Sequence, residues 1–363
     1  MAETTADLPE EGLNPPKKED IKSIGVLFPG QGNQYRGMGR ALCEQYPSAL
    51  ERYKTAARIL GNGRRQPLPL ENLFLEGPAD PLMTFLATVI YSVVLYETRV
   101  ELEEEEGLEP KISNPAFFAG MSAGEASALY AARAMEFNDF VALCRHRGRN
   151  VIKKSYDGKC MLKLANIEDA AELDDVCKKV GAEFGLWNAP DTIVLTAEPE
   201  EIQAANKTII DMGRSNWKPK ELNINIPYHS SKLKGIAEKW WRKALNYFHI
   251  MRRLRKPQIP VIANATAEPY AEDADAPELL EKQFYTTVLW YHSMMKFVFG
   301  RDAKGNPLAN QHTVDAVVEL GPKIRPNRPG GGSLSSLLSR FPYKKPVLHL
   351  TSEAQLRNVK FAY

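Results

Sequence analysis

The stretch "FFAGMSAGEASALYAARAM", residues 117–135, confines the chain more tightly than any other. Phe117 and Phe118 supply an apolar strand, Gly120 and Gly124 bracket Ser122, and Glu125 opens an alanine-rich helix. A G-x-S-x-G turn between strand and helix needs its glycines because the backbone is strained and neighbouring chains pack close. A helix beginning there aims its free N–H groups at the serine, where an oxyanion would form. The residues alone allow two readings. Ser122 is a nucleophile displayed on a sharp bend, or a small residue that fits an ordinary strand-to-helix turn.

A second constraint lies after Gly158, where the rhythm changes. "CMLKLA", "EDAAELDDVCKKV", "EFGLWNA", "TIVLTA", "PEEIQAANKTIIDMG" and "PKELNIN" alternate as β-α-β-β-α-β, the ferredoxin-like order. The expected organisation is therefore a disordered arm over 1–22, an α/β core over 23–156 and 223–363, and an inserted α+β unit over 157–222. Within the core, "SIGVLF" reads as a strand and residues 37–60 are helical in period. "PLMTFLATVIYSVVLYETRV" reads as a long buried helix, and "ELEEEEGLEPKISNP" as a solvated acidic connection. After Pro227 come a helix, the strand "QIPVIANAT", a helix around 277–300 and the strand "AVVELGP".

Composition narrows the function classes. With 44% hydrophobic and 25% charged residues among 363, the chain has material for a large core. A net charge of +2 does not by itself imply nucleic acid or an anionic membrane. Four cysteines form no C-x-x-C pair and no metal-ligand cluster with histidine, which implies free thiols in a reducing, intracellular compartment. No apolar run approaches the ~20 residues needed to span a bilayer, so no membrane association is expected. The acidic start lacks the marks of a presequence, which points to the cytoplasm, with the mitochondrial matrix as the alternative.

Ser122 needs a base. Of six histidines, His229 stands out: it follows the strand-like "ELNINIPYHSSKL" and sits in a loop at a strand end, where α/β sites collect. His146, His249, His292, His312 and His349 read as helix or charged-surface residues. The turn "FPGQGNQYRGMG" lacks both G-x-G-x-x-G spacing and the Gly-Lys-Ser/Thr of a P-loop, yet its backbone amides remain free to face a reacting carbonyl.

Six blocks now stand in order: "FPGQGNQYRGMG", "GMSAGEASALYAA", "RHRGRNV", "NIPYHSSKL", "KQFYTTVLW" and "VVELGP". Together they resemble the malonyl-CoA:acyl-carrier-protein transacylase family, from about residue 23 to residue 322. The resemblance implies a hydrolase-like α/β core, its parallel sheet flanked by helices, with an inserted ferredoxin-like subdomain. It also implies ping-pong transfer of a malonyl group from coenzyme A to the phosphopantetheine thiol of an acyl carrier protein. Malonyl-CoA is then a substrate, and neither cofactor nor metal is bound. By the same resemblance Ser122 is the nucleophile, His229 its base, and the N–H groups of Gln31 and Ala123 the oxyanion hole. Gln283 orients the histidine through its backbone carbonyl, Arg147 grips the malonate carboxylate, and Asn188 lines the pocket. A planar guanidinium holds a carboxylate bidentately and rejects acetyl groups, which leave it unpaired.

The chain also departs from that family. Met121 stands where relatives place a histidine before the serine, and Val89 and Ile90 stand where they place glutamine and proline. "KIRPNRPGGGSLSSLL" is longer and more basic than the usual glycine turn. Tyr228 is bulky enough to crowd a 2-methyl branch, which favours malonyl over methylmalonyl. These departures keep a second reading open: a catalytically degenerate scaffold in a larger protein or ribonucleoprotein assembly. The basic segments 251–256 and 323–328 would then contact RNA or an acidic carrier protein. A serine hydrolase is disfavoured by Arg147 and by the lack of an acid partner for His229.

Overall fold

The computed structural model describes residues 21–61, 66–77, 80–109, 111–239, 250–273, 275–309, 313–322, 333–357 and 360–362. The expected N-terminal arm, except Ile21 and Lys22, and the basic segment 323–328 lie outside these residues. In chain order the strands are β1 (Ile24–Phe28), β2 (Phe117–Gly120), β3 (Met161–Ala165), β4 (Glu183–Ala189) and β5 (Thr192–Thr196). They continue with β6 (Lys220–Glu221), β7 (Val261–Ile262), β8 (Ala316–Leu320), β9 (Val347–Leu350) and β10 (Lys360–Ala362).

Two sheets form. The first is six-stranded in the order β10-β9-β8-β1-β2-β7, parallel except for the edge strand β10. Its central strands are buried at every residue and apolar apart from Glu319 on β8, because helices cover both faces of a parallel sheet. With β1, β2 and β7 side by side and parallel, their carboxyl ends all open on the same edge. Gln31 follows β1, Ser122 follows β2 and Asn264 follows β7. The second sheet is antiparallel, in the order β4-β5-β3-β6, with helices Ala170–Val180 and Pro199–Asp211 in the crossovers. That is the ferredoxin-like arrangement.

The small sheet is stitched to the core beside the site. Trp187 N–H donates to Val288 O at 3.0 Å, and Val288 N–H to Gly185 O at 2.9 Å. Thr287 Oγ1 donates to Phe184 O at 2.7 Å, and Ser231 Oγ to Glu183 Oε1 at 2.6 Å. Strand β4 thus flanks both the His229 loop and the segment after Gln283.

Several local expectations need correction. The helical period over 37–60 is two helices, Arg40–Gln45 and Pro47–Leu60, because Pro47 has no N–H with which to continue the first. The region 277–300 likewise divides into Asp275–Lys282 and Trp290–Phe297. Only the second part of the acidic segment is a connection: helix Pro81–Glu106 takes in residues 101–106 and stops at Gly107, which takes φ 67°. Glu103 inside that run is buried, held by Arg99. This helix is also long and apolar enough to cross a membrane by length and composition, contrary to the sequence expectation. Its apolar window is 72% buried inside the protein, so the apolarity serves the core. His349 lies on the buried strand β9, not on a charged surface, with Nδ1 3.8 Å from Glu319.

Candidate active site

The turn after β2 holds Ser122 at φ 52°, in the left-handed region that non-glycine residues avoid. Its neighbours explain why it can bend there. A Cβ on Gly120 would run into the backbone of Gly124, and one on Gly124 into the carbonyl of Phe28. His229 takes the same unusual backbone form, φ 63°. Such conformations cost on the order of 1–3 kcal/mol each and persist where surrounding bonds over-determine them.

Those bonds are present. Ser122 Oγ lies 2.7 Å from His229 Nε2, and His229 Nδ1 lies 2.7 Å from the backbone O of Gln283. A carbonyl only accepts, so the neutral ring carries its proton on Nδ1 and offers the Nε2 lone pair to the serine hydroxyl. The N–H of His229 donates to Phe284 O at 3.0 Å, fixing the loop as well as the ring. His229 is buried, and burial pushes its pKa down to about 4; the Gln283 carbonyl opposes this and the Arg147 charge adds to it. The ring is thus an unprotonated base across the neutral range.

The backbone N–H groups of Gln31 and Ala123 donate to nothing among the described residues. Gln31 is exposed in the turn after β1, and Ala123 is buried at the start of helix Gly124–Ala131. Ser122 N–H is not free: Asn264 Oδ1 accepts it at 2.7 Å.

Arg147 sits in helix Phe137–Val151 and is 7% exposed. Its guanidinium carbon is 4.5 Å from the Phe284 ring centroid and 5.6 Å from that of Phe85. Among the described residues it makes no hydrogen bond or ion pair, and burial holds its pKa below the usual value. The other arginines of "RHRGR" behave differently. Arg145 donates to Ile59 O and Gly61 O, closing a helix end, and Arg149 is exposed.

The chain has relatives among known proteins. The family model for the acyl transferase domain matches residues 26–322. The malonyl CoA-acyl carrier protein transacylase of Bacillus subtilis strain 168 is 31% identical over 312 residues, 83% of this chain and 87% of that protein. The chain belongs to the acyl transferase domain family. The transacylase of the same name from Haemophilus influenzae is 28% identical, covering 76% of this chain and 85% of its own length. The solved transacylase of Coxiella burnetii shares the fold, with TM-score 0.74 at 22% identity over 93% of this chain and 96% of that one. A transacylase solved with a type II polyketide acyl-carrier protein has TM-score 0.71 at 22% identity, over 92% and 98%. The protein is accordingly an acyltransferase.

The remaining expected residues of this acyltransferase lie around Ser122 and His229 or further off. Met121 is buried just before Ser122 and joins the apolar cluster of Ala119, Ile262 and Val288. Val89 and Ile90 are buried in helix Pro81–Glu106. Tyr228 is half-buried beside His229, ring centroids 6.3 Å apart, and its pKa is pushed up to about 12 by burial. Asn188 is buried on β4, with its Oδ1 lacking a partner among the described residues. Of the two basic segments, 251–256 is partly committed internally. Arg253 Nε donates to Asp139 Oδ2 at 2.8 Å, and Leu254 is buried. Among the described residues no group of three or more metal-ligating side chains occurs.

Three residues of the site had not been expected: Glu125, Asn264 and Tyr270. Glu125 is fully buried, accepting from Tyr270 OH at 2.6 Å, Asn264 N–H at 2.9 Å and Gln283 Nε2. Burial pushes its pKa up to about 7, while these donors and Arg147 pull it back. The signals were faint. Glu125 is the one acid in an otherwise apolar helix, and Asn264 is a polar residue closing the apolar strand of "VIANAT".

Proposed function

We propose that this acyltransferase moves a malonyl group from coenzyme A to the phosphopantetheine thiol of an acyl carrier protein, through an ester on Ser122. His229 Nε2 takes the proton of Ser122 Oγ as the oxygen attacks the thioester carbonyl. The oxyanion forms between the N–H groups of Gln31 and Ala123. Collapse breaks the C–S bond, and the departing thiolate receives the proton from His229. In the second half the carrier thiol gives its proton to His229, attacks the ester carbonyl and displaces Ser122 Oγ, which takes the proton back.

One observation carries the choice of a malonyl group. Arg147 is a buried cation with no anionic partner among the described residues, clamped by Phe284, the neighbour of the residue whose carbonyl meets His229 Nδ1. A dicarboxylic half-thioester supplies the missing carboxylate; an acetyl group does not. Asn188, with its orphaned Oδ1, and the bulky Tyr228 complete the pocket in this reading. The names of the relatives agree with it. The scaffold reading has no comparable support, and the compartment we propose is the cytoplasm.

The test is acyl-enzyme trapping with radiolabelled malonyl-CoA. Label is expected on Ser122. Ser122→Ala should abolish it, and His229→Ala should slow it by about two to four orders of magnitude. Undiminished labelling of Ser122→Ala would end the assignment.

A further inference from the structure

The nucleophile and the base come from segments far apart in the chain, yet one set of buried side chains holds both. Asn264 Oδ1 accepts the Ser122 N–H at 2.7 Å, and its Nδ2 donates to Gly120 O at 2.7 Å. The amide therefore clasps the strained turn on both sides of Met121. Gln283 Nε2 donates to Ser122 O at 2.8 Å, while the backbone O of the same residue accepts from His229 Nδ1 at 2.7 Å. Glu125 joins the two amides, taking Asn264 N–H on one oxygen and Gln283 Nε2 on the other.

The chemistry fixes every orientation. Ser122 O only accepts, so Gln283 must turn its nitrogen toward it and toward the Glu125 carboxyl beside it. Ser122 N–H only donates, so Asn264 must turn its oxygen there and its nitrogen to Gly120 O. No side chain of the set can flip without placing donor against donor or acceptor against acceptor. Buried hydrogen-bond networks specify one geometry, and this one does so although Gln283 Oε1 is left without a partner among the described residues. This one is spent where Ser122 and His229 both hold left-handed backbone.

We propose that Asn264 and the Gln283 side chain, tied together by Glu125, are positioning residues that align Ser122 Oγ with His229 Nε2. Neither touches the acyl group; each acts through the backbone of the nucleophile. Gln283 aligns both partners at once, the base through its carbonyl and the nucleophile through its side-chain amide. The inference rests on the reading that Ser122 is acylated, and it extends the role of Gln283 beyond orienting the histidine.

The test measures single-turnover acylation of Ser122 by radiolabelled malonyl-CoA, per folded molecule, in the full chain. Asn264→Ala should slow acylation by about a hundredfold, the scale of a 1 Å misplacement of a reacting group, with KM changed less than about twofold. Gln283→Met keeps the carbonyl that orients His229 and loses only the amide links, so about a tenfold fall in kcat at constant KM is expected. Because the two amides form one unit, the double variant should be slower than Asn264→Ala by much less than the product of the single effects. A merely structural role would lower the melting temperature and leave the rate per folded molecule untouched. That result, or a fully multiplicative double variant, overturns the proposal. Should Asn264→Ala fail to fold, Gln283→Met decides alone: a kcat loss at constant KM supports it and a wild-type rate rejects it. Absence of label on wild-type Ser122 would instead defeat the functional reading itself.

Discussion

Among the described residues two arginines are buried, and they are buried differently. Arg99, in helix Pro81–Glu106, is fully enclosed and its charge is closed within the chain. Its Nε donates to Glu103 Oε1 at 2.9 Å and its Nη1 to Leu356 O, while Glu103 also accepts Ile112 N–H at 2.7 Å and Ser113 N–H at 3.1 Å. Arg147 is nearly as buried but has aromatic rings where Arg99 has a carboxylate. Removing a cation from water costs several kcal/mol unless something compensates. Arg99 is compensated by the fold, whereas ring faces repay only about 0.5–2 kcal/mol at Arg147. In the function proposed above, a charge kept under those terms is kept for a substrate carboxylate, so the difference would separate an arginine that builds the protein from one that awaits an anion.

The largest expected effect is on stability, measured by denaturant unfolding. Arg99→Ala strands the buried Glu103 carboxylate and should cost about 3–5 kcal/mol. Arg147→Ala strands nothing, since the lost stacking is offset by the desolvation released, and should shift stability by less than about 1 kcal/mol. Equal losses would break the comparison. The second effect is on selectivity. Arg147→Ala should cost malonyl transfer about 3 kcal/mol or more, because the substrate carboxylate loses its only partner, and acetyl transfer far less. Arg99→Ala should leave both transfers unchanged per folded molecule. An Arg147→Ala enzyme that loses malonyl and acetyl transfer equally would make Arg147 a second structural arginine.

What could be read from the sequence follows the range of each interaction. The strand–turn–helix around Ser122 is local: Phe117–Gly120 and Gly124–Ala131 follow from apolar run, glycine spacing and alanine content. The β-α-β-β-α-β rhythm was legible for the same reason, since alternation within 161–221 needs no distant partner. His229 could be placed at a strand end by Pro227, but its 2.7 Å approach to Ser122 spans 107 positions and no spacing encodes it. Only the six ordered blocks linked the two. Asn264 and Glu125 escaped because a single polar residue in an apolar segment looks alike whether solvated or enclosed. The acidic run misled through average charge: five glutamates of "ELEEEE" hide one, Glu103, that turns inward at helical spacing from Arg99.

The smallest effect is the most direct reading of an unpaired Arg147, because it can be followed through a neighbour. His229 must be neutral to receive the serine proton, so activity falls as pH drops through its pKa, which burial has pushed down to about 4. The Arg147 charge contributes to that depression. A substrate carboxylate would neutralise the charge in the complex but not in the free enzyme. The acid limb of kcat for malonyl-CoA should therefore lie at higher pH than that of kcat/KM, since the first reports the complex and the second the free enzyme. With an acetyl thioester, which brings no carboxylate, the two limbs should coincide near the lower value. Arg147→Ala should raise the kcat/KM limb, though not to the ordinary imidazole value of about 6.5, because burial is the larger cause and remains. Arg99→Ala, whose charge is closed by Glu103, should move neither limb. A malonyl profile with coincident limbs, or limbs already at 6.5 in the wild type, would mean that Arg147 carries no open charge into the site.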